Sequence, residues 1–90
     1  MVEEAVVNAL DIARRDCATR AGVSEPEVVV AAVKKMRWPD AGLGCPEPGK
    51  KYPEAPTDGY EIILIAISRE YVYHTDMSGR VVFCGKRLQG

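Results

Sequence analysis

Three residue types that cooperate in thiol chemistry occur from the middle of the chain onward: Cys45, His74 and Asp76. A cysteine nucleophile, a histidine base and an orienting carboxylate are the usual parts of thiol-dependent catalysis. In a strand, however, His74 and Asp76 share a face and lie about 6–7 Å apart, so their spacing predicts no direct hydrogen bond. No glycine-rich turn into a helix offers an oxyanion hole near Cys45.

Glu61 and Glu70 flank a hairpin and are interpreted as exposed charges at strand ends. We therefore expect no catalytic residues and predict that the protein is not an enzyme.

A metal site is the second chemistry to consider, because Cys17, Cys45, Cys84 and His74 are all possible ligands. The stronger zinc signatures supply their ligands in closely spaced pairs, and these four residues are far apart in the sequence. The three cysteines fit no Cys-x-x-Cys pattern and divide into one pair and one spare thiol, without indicating which two pair. We expect no metal ligands and no cofactor.

The segment from Trp38 to Gly49 contains three of the six prolines and three of the eight glycines of the chain. Proline fixes φ and removes a donor, and glycine opens φ values that other residues avoid, so this segment is predicted to be a long, ordered loop. Aromatic residues on a pre-ordered segment can anchor a protein or peptide partner at low entropic cost. The alternative is that Trp38 packs beneath the loop, and Asp40 is expected to accept loop amides. The candidate interaction surface comprises Trp38, Asp40, Leu43, Pro46, Pro48, Tyr52 and His74.

The first third of the chain is predicted to be helical. Apolar residues recur at helical spacing over residues 2–20, with Cys17 on the apolar face as a buried, inert thiol, and Gly22 can end the helix in a left-handed conformation. Ser24 and Glu27 have the spacing of a capping box, which predicts one helical turn over residues 24–27. The β-branched run that follows favours a strand over residues 28–38, with a second helix as the alternative.

Three further strands are predicted after the loop, over residues 60–67, 70–75 and 80–84, with Ser68 and Arg69 as the first connection and residues 76–79 as the second. On the middle strand, Tyr71, Tyr73 and Thr75 share one face and Val72 and His74 the other. The expected fold is α+β: one N-terminal amphipathic helix packed on a roughly four-stranded antiparallel sheet, with a long Pro/Gly-rich loop between strands 1 and 2. Residues 1–90 form a single domain.

Composition restricts the classes of partner. Twelve basic and thirteen acidic residues give a formal charge of −1, which argues against nucleic acid and against an anionic membrane surface. The N-terminus is acidic and has no signal-peptide pattern, and no apolar run is long enough for a membrane span. We predict a cytoplasmic protein as the sequence is written, or an exported one if the chain is a mature fragment.

The stretch from Trp38 to Cys84 resembles a small, uncharacterised bacterial domain with the patterns W-[PS]-D-x-x-L-G-C-P-x-P-G, G-Y-x-I and Y-x-Y-H-T-D-x-x-G. Members of that family often occur in exported proteins, and the resemblance implies a disulfide between Cys45 and Cys84, which both lie at motif positions. The chain departs from the family in having no leader and in placing Ser68 and Arg69 where a glycine-containing turn is usual. The order of elements also resembles cystatin-like and PepSY-like folds, although no Gln-x-Val-x-Gly loop is present.

The leading functional hypothesis is a non-enzymatic domain whose Pro/Gly loop binds a protein or peptide, with a peptidase-inhibitor-like module as one form of it. A second hypothesis is a thiol-dependent enzyme or redox protein that uses Cys45. A third is a purely structural accessory domain. An exposed, activated Cys45 would favour the second, whereas a buried Cys45 bonded to Cys84 would exclude it.

Overall fold

The computed structural model describes residues 4–45 and 48–88 and consists of one helix on a four-stranded sheet. The helix α1 spans Glu4–Ala21, a short 3₁₀ turn spans Glu25–Glu27, and the strands are β1 (Val29–Trp38), β2 (Thr57–Ala66), β3 (Arg69–Asp76) and β4 (Val81–Leu88). The sheet is antiparallel throughout, with the order β1-β2-β3-β4. The α+β class predicted from the sequence is confirmed.

The helix α1 forms because small apolar residues recur along one side of it. Val6, Ala9, Ala13 and Cys17 are all buried against the sheet, so the predicted position of Cys17 is correct. Gly22 ends the helix with φ 71°, and the amide of the next residue, Val23, donates back to the carbonyl of Ala18. Glycine suits this position because left-handed backbone is costly for residues with a Cβ.

The segment after α1 forms a short turn and then a strand, as predicted. The alternative of a second helix is therefore wrong. The Glu27 carboxylate accepts the Ser24 amide at 2.8 Å and the Ser24 hydroxyl at 2.9 Å, so the predicted turn is present. These hydrogen bonds lower the pKa of Glu27. From Val29 onward the chain pairs with β2, where extended backbone suits β-branched side chains. Most residues of this edge strand are exposed.

Most strand boundaries differ from the prediction by one residue, and two of them differ by three or more. β2 begins at Thr57 rather than residue 60 because Thr57 pairs with Trp38 of β1. β4 continues to Leu88 rather than ending at residue 84, because its second half pairs with the start of β3. The β2–β3 connection is Ile67 and Ser68, which have φ values of 48° and 57°, so the predicted connection at Ser68 and Arg69 is one residue too late.

The sheet separates two environments. Its helix face carries the buried aromatic and aliphatic side chains that pack against α1, and these are Tyr60, Ile62, Leu64, Ala66, Tyr71 and Tyr73. The Tyr73 hydroxyl donates to Asp16 of α1 at 2.6 Å, and burial together with this bond raises the pKa of Tyr73. The opposite face of the sheet, here called the loop face, carries Glu61, Val72 and His74. The loop between β1 and β2 packs on this face. Among the residues that the structure describes, no helix combines the length and apolar character that a membrane crossing requires.

Candidate functional site

The centre of the loop face is a disulfide between Cys45 and Cys84, which joins the long loop to β4 with the two Cα atoms 5.8 Å apart. Cys84 lies at a β-bulge: its neighbours Phe83 and Gly85 pair with the adjacent residues Tyr73 and Val72, which leaves Cys84 without a partner on β3. An extra residue of this kind redirects a side chain, and Gly85 accommodates the bend with φ 141°. The pairing implied by the family resemblance is therefore present.

His74 lies beside this disulfide and is almost fully buried, with 9% of its surface exposed. Its Nδ1–H donates to the Leu43 carbonyl at 2.7 Å, and its Nε2–H donates to a Glu61 carboxylate oxygen at 3.0 Å. Nδ1 also lies 3.5 Å from Cys45 Sγ. The sulfur, the imidazole and the carboxylate therefore form a continuous row.

The carboxylate of that row is Glu61 and not Asp76. Glu61 lies directly opposite His74 in the β2–β3 ladder, where side chains on one face are within contact distance. Interpreting Glu61 as an exposed strand-end charge was therefore wrong, since its side chain is only 25% exposed and pairs with the imidazole. The spacing of His74 and Asp76 did not by itself imply a hydrogen bond between them, and in the structure the Asp76 carboxylate accepts from the β3–β4 turn.

Asp76 organises the β3–β4 turn. One of its carboxylate oxygens accepts the Ser78 amide, the Ser78 hydroxyl and the Arg80 amide at 2.9–3.0 Å. Partial burial disfavours the charge, but these hydrogen bonds outweigh it and lower the pKa of Asp76. Asp76 thus stabilises a turn whose Arg80 contacts the long loop.

Trp38 supports the loop from below. Its indole ring stacks on the His74 ring with the centroids 4.2 Å apart, and its Nε1–H donates to the Thr75 carbonyl at 2.9 Å. Above it, Gly44 has φ 76°, and a Cβ there would lie 2.9 Å from the Trp38 ring, so the loop approaches the indole as closely as it does only because this residue is glycine. The alternative in which Trp38 packs beneath the loop is the one that the structure contains.

The base of the loop is fixed by hydrogen bonds as well as by the disulfide. Asp40 accepts the Gly42 amide at 2.8 Å, as its residue type predicted. The Ala41 amide donates to the Pro53 carbonyl at 3.2 Å, which links the two arms of the loop. Arg80 donates to the Ala41 carbonyl at 2.7 Å from the β3–β4 side. The loop is thus tied both to itself and to the far end of the sheet.

The residues of the candidate interaction surface differ in their exposure to solvent. Trp38, Leu43 and His74 are buried, so their side chains support the loop and present no exposed contact area. Asp40 and Tyr52 are partly buried, and Pro48 is exposed. Pro46 lies outside the described residues. Contact between this loop and a partner stays a prediction.

Of the four possible metal ligands, the structure brings three together. The ligand atoms of Cys45, His74 and Cys84 all lie within 4.8 Å of one another. Cys17 lies on α1, on the opposite side of the sheet, where it is buried between the helix and the sheet, and burial raises its pKa. A convergence of all four residues is therefore excluded, whereas a three-residue cluster is present.

Two open depressions flank the disulfide and give it contact with solvent. The larger, of about 530 Å³, includes Arg20, whose guanidinium lies 3.8 Å above the Phe83 ring. The other, of about 390 Å³, is lined by Glu61, His74 and residues 84–87 of β4, among others. Both sides of the Cys45–Cys84 bond are therefore bordered by accessible space.

The Glu61–His74 pair can be predicted from the sequence only if the β2–β3 turn is placed at the correct two residues. A two-residue connection at Ile67 and Ser68 places Glu61 opposite His74, as observed. The connection predicted at Ser68 and Arg69 would instead place His74 opposite Ile63. A shift of the turn by one residue changes the cross-strand partner by two, which keeps each side chain on its face but misses the carboxylate.

Comparison with known proteins finds a match to a family model. No curated protein and no solved structure matches the chain. A family model described as Domain of unknown function (DUF8738) matches residues 10–84, which include most of α1, the whole loop and the disulfide. The match confirms that the chain carries a small, uncharacterised domain. Because the model covers well over half of the sequence, the protein belongs to the family Domain of unknown function (DUF8738).

Proposed function

We propose that the domain is a non-enzymatic recognition module that presents residues 48–56 of its long loop to the cleft of a peptidase. The observation that carries this proposal is the contrast between the two parts of the loop. Its base is tied to the sheet by the disulfide, by His74 and by Arg80, whereas every residue of 48–56 except Tyr52 is exposed.

The fixed base reduces the entropic cost of binding. A flexible loop loses conformational freedom when a partner orders it, and a loop already confined in the free protein avoids much of that loss. Within the presented segment, Pro48, Pro53 and Pro56 have fixed φ values. The residues that precede prolines favour extended backbone, which is the conformation that peptidase clefts accept. Tyr52 and Ala55 occupy such positions.

The attachment of both ends of the segment suits an inhibitor. On the N-terminal side, Cys45 is bonded to β4, and on the C-terminal side the chain enters β2 at Thr57. If a peptidase cleaved a bond between them, neither new end would separate from the domain. The pieces would stay in the cleft and compete with further substrate.

The class of peptidase follows from the two exposed lysine side chains in the segment, Lys50 and Lys51. Lys51 is exposed near the middle of residues 48–56. Peptidases of the trypsin type recognise such a side chain through an aspartate at the bottom of their specificity pocket. A trypsin-like serine peptidase is therefore the partner class that fits this loop.

The disulfide also bears on the thiol-dependent alternative. Nucleophilic catalysis needs a free thiolate, and Cys45 in a disulfide has none. The bond therefore supports recognition over thiol catalysis, and it supports an oxidising compartment, where such bonds persist.

The test is inhibition of a trypsin-like peptidase by the oxidised domain, with chymotrypsin-like and papain-like peptidases in parallel. We expect reversible inhibition of the trypsin-like enzyme, weakened at least about tenfold, or ~1.4 kcal/mol, by Lys51→Ala. Lys34→Ala is the matched control, because Lys34 is an exposed lysine on β1. Absence of both inhibition and a complex on size-exclusion chromatography would overturn the proposal. Equal inhibition by wild type and Lys51→Ala would overturn the role of Lys51.

A further inference from the structure

The surroundings of the Cys45–Cys84 disulfide contain more donor atoms than a covalent link requires. A disulfide needs only its two sulfurs. Yet Nδ1 of the buried His74 ring lies 3.5 Å from Cys45 Sγ, and the other ring nitrogen is hydrogen-bonded to the Glu61 carboxylate. Two sulfurs, an imidazole and a supporting carboxylate are the donor set of a zinc site.

We infer that, when the disulfide is reduced, Cys45, Cys84 and His74 bind Zn²⁺. A dithiol reductant supplies the two electrons: it attacks one sulfur, the S–S bond breaks, both cysteines become thiols and the reductant becomes a disulfide. Zn²⁺ then replaces the two thiol protons and the proton on His74 Nδ1, and these three protons pass to solvent. Two thiolates balance the charge of the ion.

The distances agree with this assignment. Ligands at about 2.3 Å for sulfur and 2.0–2.1 Å for nitrogen lie about 3.6 Å apart around a tetrahedral zinc ion. The distance from Cys45 Sγ to His74 Nδ1 is 3.5 Å, and the three ligand atoms are within 4.8 Å of one another. The bulge that directs Cys84 toward the loop already places the third ligand beside the other two.

Glu61 supplies the interaction that zinc-bound histidines usually have. In such sites the distal ring nitrogen donates its hydrogen to a carboxylate, which orients the ring and strengthens it as a ligand. His74 Nε2 has this bond to Glu61 at 3.0 Å, which leaves Nδ1 as the nitrogen that faces the sulfurs. The stacked Trp38 ring holds the imidazole plane in place.

The fourth coordination position opens to solvent. The 390 Å³ depression borders Cys45, His74 and Cys84 and has room for a water ligand or a small anion. Zinc binding at Nδ1 displaces the hydrogen that the Leu43 carbonyl accepts from His74. A water in the fourth position donates a hydrogen to that carbonyl in its place. Three protein ligands with one open position are typical of exchangeable or catalytic zinc rather than of closed structural sites.

The site would keep the loop attached in both redox states. In the oxidised protein the covalent bond ties Cys45 to β4, and in the reduced protein the metal would join the same two residues. Thiol–disulfide exchange with a disulfide oxidant, which takes up the two electrons and becomes a dithiol, removes both thiolates and therefore releases the ion. Metal occupancy would thus report the redox state of this one cysteine pair.

The test uses the full chain, reduced with a phosphine and titrated with Zn²⁺ against a chromogenic chelator. We expect one zinc ion per reduced chain and none bound in the oxidised chain. Cys45→Ser, Cys84→Ser and His74→Gln should each weaken binding at least about a hundredfold, and Glu61→Gln about 10- to 100-fold. Cys17→Ala is the matched cysteine control and should bind as wild type does.

A second measurement keeps the inference testable if a variant fails to fold. With Co²⁺ as the probe, the reduced wild-type chain should show thiolate-to-metal charge transfer at an intensity of two sulfurs, and bound metal should protect Cys45 and Cys84 from alkylation. The inference is overturned if the reduced wild type binds Zn²⁺ no more tightly than the Cys45→Ser/Cys84→Ser chain. Protection of only one cysteine would also overturn it.

Discussion

Replacing Cys45 and Cys84 together by alanine should cost about 4 kcal/mol of unfolding free energy. The two residues are 39 positions apart, and in the chain-entropy model a cross-link that closes a loop of that length restricts the unfolded chain by about 4 kcal/mol at 25 °C. A domain of this size has a total stability of roughly 5–13 kcal/mol. The disulfide therefore accounts for about 30% or more of the stability.

The measurement is equilibrium unfolding in urea, recorded by far-UV circular dichroism and by the fluorescence of Trp38, the single tryptophan of the chain. Trp38 lies under the loop against His74, so its emission reports the tertiary structure at the site itself. The Cys17→Ala chain serves as the control for the loss of a cysteine. A chelator in every sample prevents metal from restoring the link between β4 and the loop in reduced samples.

We expect the midpoint of the double variant to fall well below that of the oxidised wild type, with a similar slope against urea. Reduced wild type should unfold close to the double variant, since both lack the cross-link. A loss below about 1 kcal/mol would refute the reasoning, because the chain-entropy model requires several times that amount. It would mean that the unfolded chain is already compact near these residues, or that the other ties to the loop carry its stability.

Three further variants test other parts of the structure. Gly44→Ala should cost about 2 kcal/mol, because it combines left-handed backbone with a Cβ against the Trp38 ring, and the loss is measured by urea unfolding. Replacing Ile67 and Ser68 by Asn and Gly should instead stabilise the domain by about 1–2 kcal/mol, since both residues have positive φ and Asn-Gly suits such a turn; an unchanged melting temperature would contradict this. Asp76→Asn should cost about 1–2 kcal/mol at neutral pH. Because the folded pKa of Asp76 lies below its ordinary value of 3.8, this difference should be complete above that pH and shrink as the pH falls through the folded pKa, as unfolding at several pH values would reveal.

Local patterns were sufficient for the parts of the fold in which each residue depends mainly on its neighbours. The apolar spacing of α1, its glycine end and the Ser24–Glu27 turn were predicted within one or two residues. The β-branched run that begins at Val28 also gave the correct preference for a strand. These features depend on backbone propensity and on one buried side, which short stretches of sequence contain.

Strand ends and the hairpin register were predicted less well because they depend on the partner strand. β4 is extended by its pairing with β3, which no pattern within β4 itself reveals. The position of the β2–β3 turn was also missed by one residue, because Ile67 is a poor residue for left-handed backbone and gives no turn signal.

The sequence by itself determined that this is a small α+β domain with a long Pro/Gly-rich loop, since amphipathic spacing and the restricted φ of proline are properties of the chain. The family resemblance added the Cys45–Cys84 pairing. Only the tertiary structure decided that Trp38 and Leu43 support the loop from inside, and that His74 lies between Cys45 and Glu61. The physical reason is that those contacts join β1, the loop and three strands at a single point. Their existence depends on register, on the bulge at Cys84 and on the path of the loop across the sheet.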